Sequence, residues 1–136
     1  MKTIHGLCNI KKLHNLGNHL IIDGYSSSKE ILADEDFIRN FIRKLVSQVE
    51  MTPISKPLIV KYNSKDPHQN GVTGTIILAE SNITIHTYPH YNFFCLDLFS
   101  CSEFKIDKTI DYLISELKIT KYKKKLIKRG FYDEEN

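Results

Sequence analysis

Side chains with reactive potential are concentrated in one window of this 136-residue chain, between residues 73 and 101. The window holds a carboxylate, a hydroxyl, two imidazoles and two thiols: Glu80, Ser81, His86, His90, Cys95 and Cys101. Imidazole titrates near neutral pH, and hydroxyls and thiols become nucleophiles when a base removes their proton. The window is therefore the candidate site, and several kinds of chemistry are open to it.

A serine hydrolase is one hypothesis for these residues. It would use Ser81 as the nucleophile and His86 as the base, with Glu80 or Asp97 as the acid. The sequence around Ser81 lacks the G-x-S-x-G pattern and offers no turn from a strand into a helix to expose the serine. The residues therefore argue against this hypothesis.

A metal site and purely structural roles are two further hypotheses. Metal binding would use His86, His90 and Cys101, but Pro89 interrupts the strand between the histidines and no carboxylate pair completes a known ligand set. Each residue taken singly could also be structural, with the cysteines as small core residues and Ser81 as a turn hydroxyl.

The elements that must position these residues follow from the periodicity of apolar side chains. Alternation predicts strands at 18–25, 57–62, 74–80, 82–88, 93–101 and 123–131, and spacing of three to four predicts two helices, which Asp34 and Asp107 can cap. The length fits a single domain, 1–136, with the order β-α-β-β-β-β-α-β. Short links between consecutive strands predict an antiparallel sheet.

The predicted fold is an α+β two-layer sandwich with both helices on one face of the sheet. Apolar residues are expected on both sheet faces, for example at Ile77, Ile83, Ile85, Phe94, Leu96 and Leu98. An uncovered apolar face usually binds a partner, so we expect a homodimer packed sheet to sheet.

Composition excludes several classes of protein. The chain is 41% hydrophobic and 26% charged, with no apolar run of the roughly 20 residues that a membrane span needs. Its N-terminus is too polar for a signal peptide, so we expect a cytoplasmic protein without a membrane partner. Three cysteines without C-x-x-C spacing favour reduced thiols. The basic run 121–130 favours an exposed sheet edge over nucleic-acid binding.

Residues 71–101, GVTGTIILAESNITIHTYPHYNFFCLDLFSC, resemble the signature region of the prokaryotic S-adenosylmethionine decarboxylases. These are small pyruvoyl-dependent enzymes of polyamine synthesis, made as self-processing proenzymes. In that family the pattern runs approximately GVSG, AESH, HTWPE or HTFPE, and a strand ending in D-x-F-x-C. The spacing is kept through the whole window, and the resemblance extends more loosely over most of the chain.

The resemblance implies self-cleavage between Glu80 and Ser81 into a β chain, 1–80, and an α chain, 81–136. Ser81 would become a pyruvoyl group, the covalent cofactor that forms a Schiff base with the amine of a small-molecule substrate. His86 matches the processing base, Thr73 a hydroxyl that polarises the junction, and Cys101 the proton donor of decarboxylation. The product would supply aminopropyl groups for spermidine, and active sites are expected at the homodimer interface with residues from both protomers.

Departures from the family pattern concern substrate binding. Asn82 replaces a histidine, and His90 replaces the glutamate expected to hold the ribose hydroxyls. Tyr88 still offers a face for stacking on adenine. An amino-acid substrate such as arginine or ornithine therefore stays open, and so does an unprocessed, non-catalytic regulatory relative.

Overall fold

The helices and strands follow the predicted order. The computed structural model describes residues 16–131, and its strands are β1 (Gly17–Ser26), β2 (Leu58–Tyr62), β3 (Gly71–Leu78), β4 (Ser81–Tyr88), β5 (Phe93–Ser100) and β6 (Ile119–Arg129). The helices are a single turn α1 (Lys29–Leu32), α2 (Glu35–Gln48) and α3 (Ile106–Glu116). No helix in the described range is long and apolar enough to span a membrane.

All six strands form one antiparallel sheet in the order β2-β3-β4-β5-β1-β6. The run from β2 to β5 is a meander, in which each strand pairs with the next one along the chain as predicted. β1 then fills the place beside β5, and β6 returns to pair with β1 at the edge. The α+β architecture predicted from the sequence is confirmed.

One face of the sheet packs on the helices and forms the core. α2 begins where predicted, because the Asp34 carboxylate accepts hydrogen bonds from the backbone N–H groups of Asp36 and Phe37 at 2.9 and 3.0 Å. Its buried side chains recur at helical spacing: Ile38, Phe41, Ile42, Leu45 and Val46. They meet buried residues of the central strands, among them Leu20, Ile22, Ile76, Ile83, Ile85, Phe94, Leu96 and Leu98.

Gly74 lets α2 approach β3 closely. A Cβ at this position would lie 2.6 Å from Ile42 Cδ1 and 2.9 Å from Ile38 Cγ2, which is inside van der Waals contact. Glycine therefore fixes the distance between the helix layer and the strand that carries Thr73 on its opposite face.

The start of the second long helix differs from the prediction. α3 begins at Ile106 after Lys105, whose side chain makes no capping hydrogen bond, and Asp107 lies inside the first turn. There its carboxylate favours the helix through the positive end of the helix dipole. The prediction of a helix start near Asp107 is correct, and the prediction that Asp107 caps the helix is wrong.

The second face, which we call the open face, is covered by no described element. Of the six apolar residues expected to show two apolar faces, only Ile77 points there and is exposed, while the other five are buried under the helices. The apolar side chains on the open face are others: Tyr25, Leu58, Val60, Tyr62 and Tyr88. The expectation of an uncovered, partly apolar face holds with a different set of residues.

Strand β6 carries the basic run and lies at the sheet edge. Residues 120–129 are all exposed, including five lysines and Arg129. Charged side chains on an edge strand discourage pairing with another sheet. The interpretation of this run as an exposed edge is confirmed.

Candidate active site

The junction between Glu80 and Ser81 lies at the tight turn between β3 and β4. Leu78 pairs with Ser81, so only Ala79 and Glu80 form the loop. Glu80 has φ 59°, in the left-handed region that glycine normally occupies in such turns. A side chain held there costs on the order of 1 kcal/mol or more. The backbone is therefore strained immediately before the peptide bond to Ser81.

Neighbouring backbone holds this turn in place. The N–H of Ala79 donates to the carbonyl of Thr52 at 2.9 Å, and Pro53 forms an isolated bridge with Leu78. Both partners belong to the segment that leaves α2. Ser81 is the first residue of β4 and is only 8% exposed, because its side chain lies on the helix-covered face. The junction thus has a buried hydroxyl next to a strained, exposed residue.

Cys101 directly follows β5 and reaches the junction. Its Sγ lies 3.6 Å from Glu80 Oε2. Cys101 also takes part in a disulfide in this structure, so its sulfur carries no proton in this state. The expectation of reduced thiols is therefore wrong for Cys101 and correct for Cys95, while Cys8 lies outside the described residues. Residue counts and spacing could not reveal this, because a disulfide depends on tertiary proximity.

His86 and Thr73 form a second group on the open face. They are direct cross-strand partners in β4 and β3, and Thr73 Oγ1 lies 2.9 Å from His86 Nδ1. This contact orients the imidazole and leaves Nε2 available for proton transfer. The structure thus pairs Thr73 with His86 and places both away from the Glu80–Ser81 turn of the same chain, and their processing roles stay predictions.

The structure does not bring His86 to Ser81 within one chain. They lie five positions apart on the same strand, a separation of about 17 Å at 3.3 to 3.4 Å per residue. An odd separation also directs their side chains to opposite faces. The residues of the sequence window therefore form two groups, one around the junction and one around His86.

An aromatic cavity of about 380 Å³ lies on the open face near His86. Tyr88 of β4, Phe93 of β5 and Tyr25 of β1 are successive partners across three strands, and Tyr91 closes one side. The Tyr25 and Phe93 rings meet edge to face at 5.2 Å between centroids. Sequence analysis pointed to Tyr88, and the register that aligns Tyr25 and Phe93 with it was unknown.

Cys95 lines the floor of this cavity and is unsuited to act as a nucleophile. Burial, a hydrogen bond to Asp23 and the nearby Asp97 carboxylate raise the pKa of Cys95 to about 11. The thiol therefore stays protonated at neutral pH. This agrees with the absence of a catalytic role for Cys95 in the sequence analysis.

His90 lies just past β4 and lines a second cavity, of about 210 Å³, together with Pro67, Gly71 and Pro89. Its ring packs on that of His68 with centroids 3.9 Å apart, and on Tyr91 at 4.9 Å. His68 is held in turn by Asp66, with 3.1 Å between Nδ1 and Oδ1. The polar loop before β3 thus supplies an imidazole beside His90, a partner that the sequence did not indicate.

The two rejected chemistries are not assembled in this geometry. A hydrolase would need Ser81 against His86, and Asp97 is instead 3.0 Å from His19 Nε2. The three side chains of the metal hypothesis have separate neighbours, Thr73 for His86, His68 for His90 and Glu80 for Cys101. Within residues 16–131, no group of three histidine, cysteine or acidic side chains is arranged to hold a metal ion.

Comparison with known proteins decides between the remaining hypotheses. The family model described as S-adenosylmethionine decarboxylase matches residues 18–130. This chain belongs to the S-adenosylmethionine decarboxylase family. It is accordingly an enzyme of the carboxy-lyase class, and the non-catalytic hypothesis is not favoured.

Individual relatives agree along almost the whole chain. The S-adenosylmethionine decarboxylase proenzyme of Archaeoglobus fulgidus is 31% identical over 116 residues, covering 85% of this chain and 98% of the relative. That of a Hydrogenobaculum species is 35% identical over 120 residues, covering 88% and 85%. The crystal structure of the Aquifex aeolicus adenosylmethionine decarboxylase superposes with a TM-score of 0.75 at 27% identity, covering 90% and 98%. The resemblance found in the sequence is confirmed.

Relief of the turn strain gives a first testable prediction. In a Ser81→Ala background, Glu80→Gly should be more stable than Glu80→Ala by about 1 kcal/mol, because only glycine adopts φ 59° without a steric penalty. Urea unfolding of the two variants measures the difference, and both lack the Glu80 side chain, so its contacts cancel. Equal stabilities would show that the turn stores no backbone strain.

Proposed function

We propose that this chain is a self-processing S-adenosylmethionine decarboxylase that cleaves itself between Glu80 and Ser81. The observation that carries the proposal is the junction itself, a non-glycine residue at φ 59° followed by a nearly buried serine with Cys101 beside it. The product of the decarboxylation would serve as the aminopropyl donor for spermidine synthesis. An amino-acid substrate is not favoured, because the relatives named above are all S-adenosylmethionine decarboxylase proenzymes.

Cleavage begins when Ser81 Oγ attacks the carbonyl carbon of Glu80. The peptide C–N bond breaks, a C–O ester bond forms, and the Oγ proton passes through a base to the released amine. Loss of the Ser81 α-proton then expels the Glu80 carboxylate and leaves dehydroalanine, which takes up water and releases ammonia. Strain at Glu80 favours the first step, since opening the peptide bond relieves the left-handed backbone.

The residues around Ser81 fit the pyruvoyl group that this reaction would make. The new N-terminus would lie at the start of β4, where Ser81 is shielded from solvent. Cys101, the residue after β5, is a near neighbour there. A pyruvoyl carbonyl condenses with the substrate amine and accepts electrons as carbon dioxide leaves. The chain's own task is to bind the substrate, exclude water and return a proton.

Denaturing mass spectrometry tests the processing directly. The purified wild-type protein should give two fragments, 1–80 and 81–136, the second lighter by one ammonia than the same fragment with an N-terminal serine. Ser81→Ala should remain a single chain and release no carbon dioxide from S-adenosylmethionine, because it lacks the attacking oxygen. An intact wild-type chain that still releases carbon dioxide would exclude this mechanism.

The active site is proposed to combine two copies of the chain. His86 and Ser81 are about 17 Å apart and point to opposite faces, so the base of one chain cannot serve its own junction without a large rearrangement. A two-fold dimer through the open face sets different residues of the two copies opposite each other. His86 and Thr73 of one protomer would then approach the turn of the other from its open side, at the exposed Glu80 and Asn82, and the Ser81 hydroxyl would have to turn away from the helix-covered face to meet them.

The open face has the character that such an interface needs. Leu58, Val60, Tyr62 and Ile77 lie on β2 and β3 with more than half of each side chain exposed. An apolar patch of this kind on a sheet normally belongs to an interface. Dimerisation would bury it and would place the aromatic cavity and His90 at the edge of the shared site.

Mixed dimers test the arrangement between chains. Ser81→Ala cannot be cleaved but keeps His86, and His86→Ala keeps the serine but lacks the base. Co-expressed with different affinity tags, the two chains should give cleavage of the His86→Ala chain alone, whereas neither should be cleaved when expressed by itself. Absence of cleavage in mixed dimers, when the wild type cleaves, would mean that His86 acts within its own chain. Cleavage of the His86→Ala chain expressed by itself would mean that His86 is not needed.

Cys101 is proposed to return the proton to the substrate α-carbon. The contact of 3.6 Å between its sulfur and the side-chain carboxylate of Glu80, the residue before the cleaved bond, supports this role. A disulfide sulfur has no proton to give, so the donor must be the reduced form of Cys101. Turnover, unlike cleavage, should therefore depend on the thiol state.

Reductant dependence is the corresponding prediction. Wild-type protein purified without a thiol should release carbon dioxide slowly and gain activity with dithiothreitol, whereas cleavage should be unaffected. Cys101→Ala should be cleaved normally but turn over at least about tenfold more slowly, in the range lost with a general acid. Cys95→Ala is the control and should keep the reductant response, because Cys95 is a free, protonated thiol. Normal turnover by Cys101→Ala would exclude it as the donor.

The substrate is proposed to bind in the aromatic cavity. Tyr88, Tyr25 and Phe93 offer flat apolar faces to the adenine ring, and such rings also attract a sulfonium or ammonium cation. His90 does not line this cavity but packs on Tyr91, which does, and it is proposed to accept a hydrogen bond from a hydroxyl of the substrate. Asn82 is exposed on the open face beside the junction and contributes no titrating group. The cytoplasmic location stays a prediction.

A further inference from the structure

We infer that Thr87 is a positioning residue that holds His86 and Tyr88 in place for the reaction, an inference that rests on the proposed function of His86. Thr87 lies between these two residues in β4 and points to the opposite face, so it touches neither the junction nor the substrate cavity. Its side chain is 3% exposed. A buried hydroxyl in this place is costly unless it is hydrogen-bonded, so its contacts reveal its task.

The Thr87 hydroxyl joins three segments of the chain. It donates to the carbonyl of Leu32, at the end of α1, with 2.6 Å between oxygens. It accepts from the N–H of Val72 at 2.9 Å, and the Val72 carbonyl is 3.2 Å away as an alternative acceptor. One oxygen thus fastens β4 to β3 and to the helix layer.

The position of these contacts matters for His86. In the β3–β4 ladder, the Thr73–His86 pair is the last one before the strands diverge. Just beyond that pair, the Val72 N–H donates a hydrogen bond to Thr87 Oγ1, which links β3 to β4 through a side chain. The 2.9 Å contact between Thr73 Oγ1 and His86 Nδ1 therefore lies directly beside a side-chain link that sets the spacing of its two strands.

The same link fixes the cavity side of β4. Tyr88 follows Thr87 and is the last residue of the strand, after which the chain turns through Pro89–Tyr91. Gly71 crosses β4 closely here, because a Cβ at Gly71 would lie 2.0 Å from the Thr87 carbonyl oxygen. Loss of the hydroxyl link would free this strand end and shift His86 and Tyr88 together.

Two substitutions separate the hydroxyl from its methyl group. Thr87→Val keeps the shape and leaves the Val72 N–H and the Leu32 carbonyl without their partner, whereas Thr87→Ser keeps the hydroxyl. Because displacement of a catalytic group by about 1 Å can cost a hundredfold in rate, we expect Thr87→Val to slow cleavage at least about tenfold and Thr87→Ser to stay within about threefold. In chains already cleaved, Thr87→Val should also raise KM more than it lowers kcat, through Tyr88.

Thr109→Val provides the matched control. Thr109 is also 3% exposed and donates a hydrogen bond, to the Lys105 carbonyl at 2.8 Å, but it lies in α3. If a general loss of stability caused the effect, Thr109→Val would slow cleavage as much as Thr87→Val at the same urea midpoint. Equal slowing in the two variants would overturn the inference, and so would slow cleavage by Thr87→Ser if Thr87→Val fails to fold.

Nuclear magnetic resonance of His86 provides a readout that does not need cleavage. In the uncleaved Ser81→Ala chain, Thr87→Val should move the imidazole resonances of His86, while Thr87→Ser and Thr109→Val should leave them in place. Unmoved resonances would overturn the positioning role. Failure of the wild type to cleave would instead count against the proposed function, and the imidazole resonances would still decide the role of Thr87.

Discussion

The alternation of side chains along β4 determines which residues of this protein can work together. Ser81 and His86 are an odd number of positions apart, so the pleat directs them to opposite faces of the sheet and extends the strand between them. The serine belongs to the face that packs on the helices, and the imidazole belongs to the open face with Thr73 and the aromatic cavity. No rotamer change overcomes this separation. The distance of about 17 Å along the strand is the reason for proposing that two chains share each site.

The junction depends on a different constraint, the short connection between β3 and β4. Because Leu78 pairs with Ser81, two residues must reverse the chain, and Glu80 takes the left-handed conformation although it is not glycine. The segment after α2 supports the turn through Thr52 and Pro53, so the strain is held by the surrounding fold. Strain at Glu80 would favour the proposed cleavage, and a glycine at this position would remove it.

Predictions from the sequence succeeded where local chemistry decides structure. The α2 helix is marked by its apolar spacing and by Asp34, and the structure has both as expected. Prediction failed where the sequence allows several tertiary arrangements. Asp107 lies inside α3 because the helix begins one residue earlier. Five of the six apolar residues expected on two sheet faces lie on one face, because the sequence does not show which face of each strand the helices cover. Cys101 was expected to be reduced, and residue spacing along the chain does not reveal a disulfide.

By itself, the sequence indicated the family, because residue types and their spacing from Thr73 to Cys101 match its pattern, and the family model confirms the match over residues 18–130. The opposite facing of Ser81 and His86 became clear only from the structure, because the predicted strand, 82–88, did not include Ser81, whereas β4 begins at Ser81. Only the tertiary structure decided which groups meet: Cys101 with Glu80, Tyr25 and Phe93 with Tyr88, His68 with His90, and Thr87 with Leu32. The reason is physical, because these contacts depend on strand register and helix packing, which join parts of the chain that no local pattern relates.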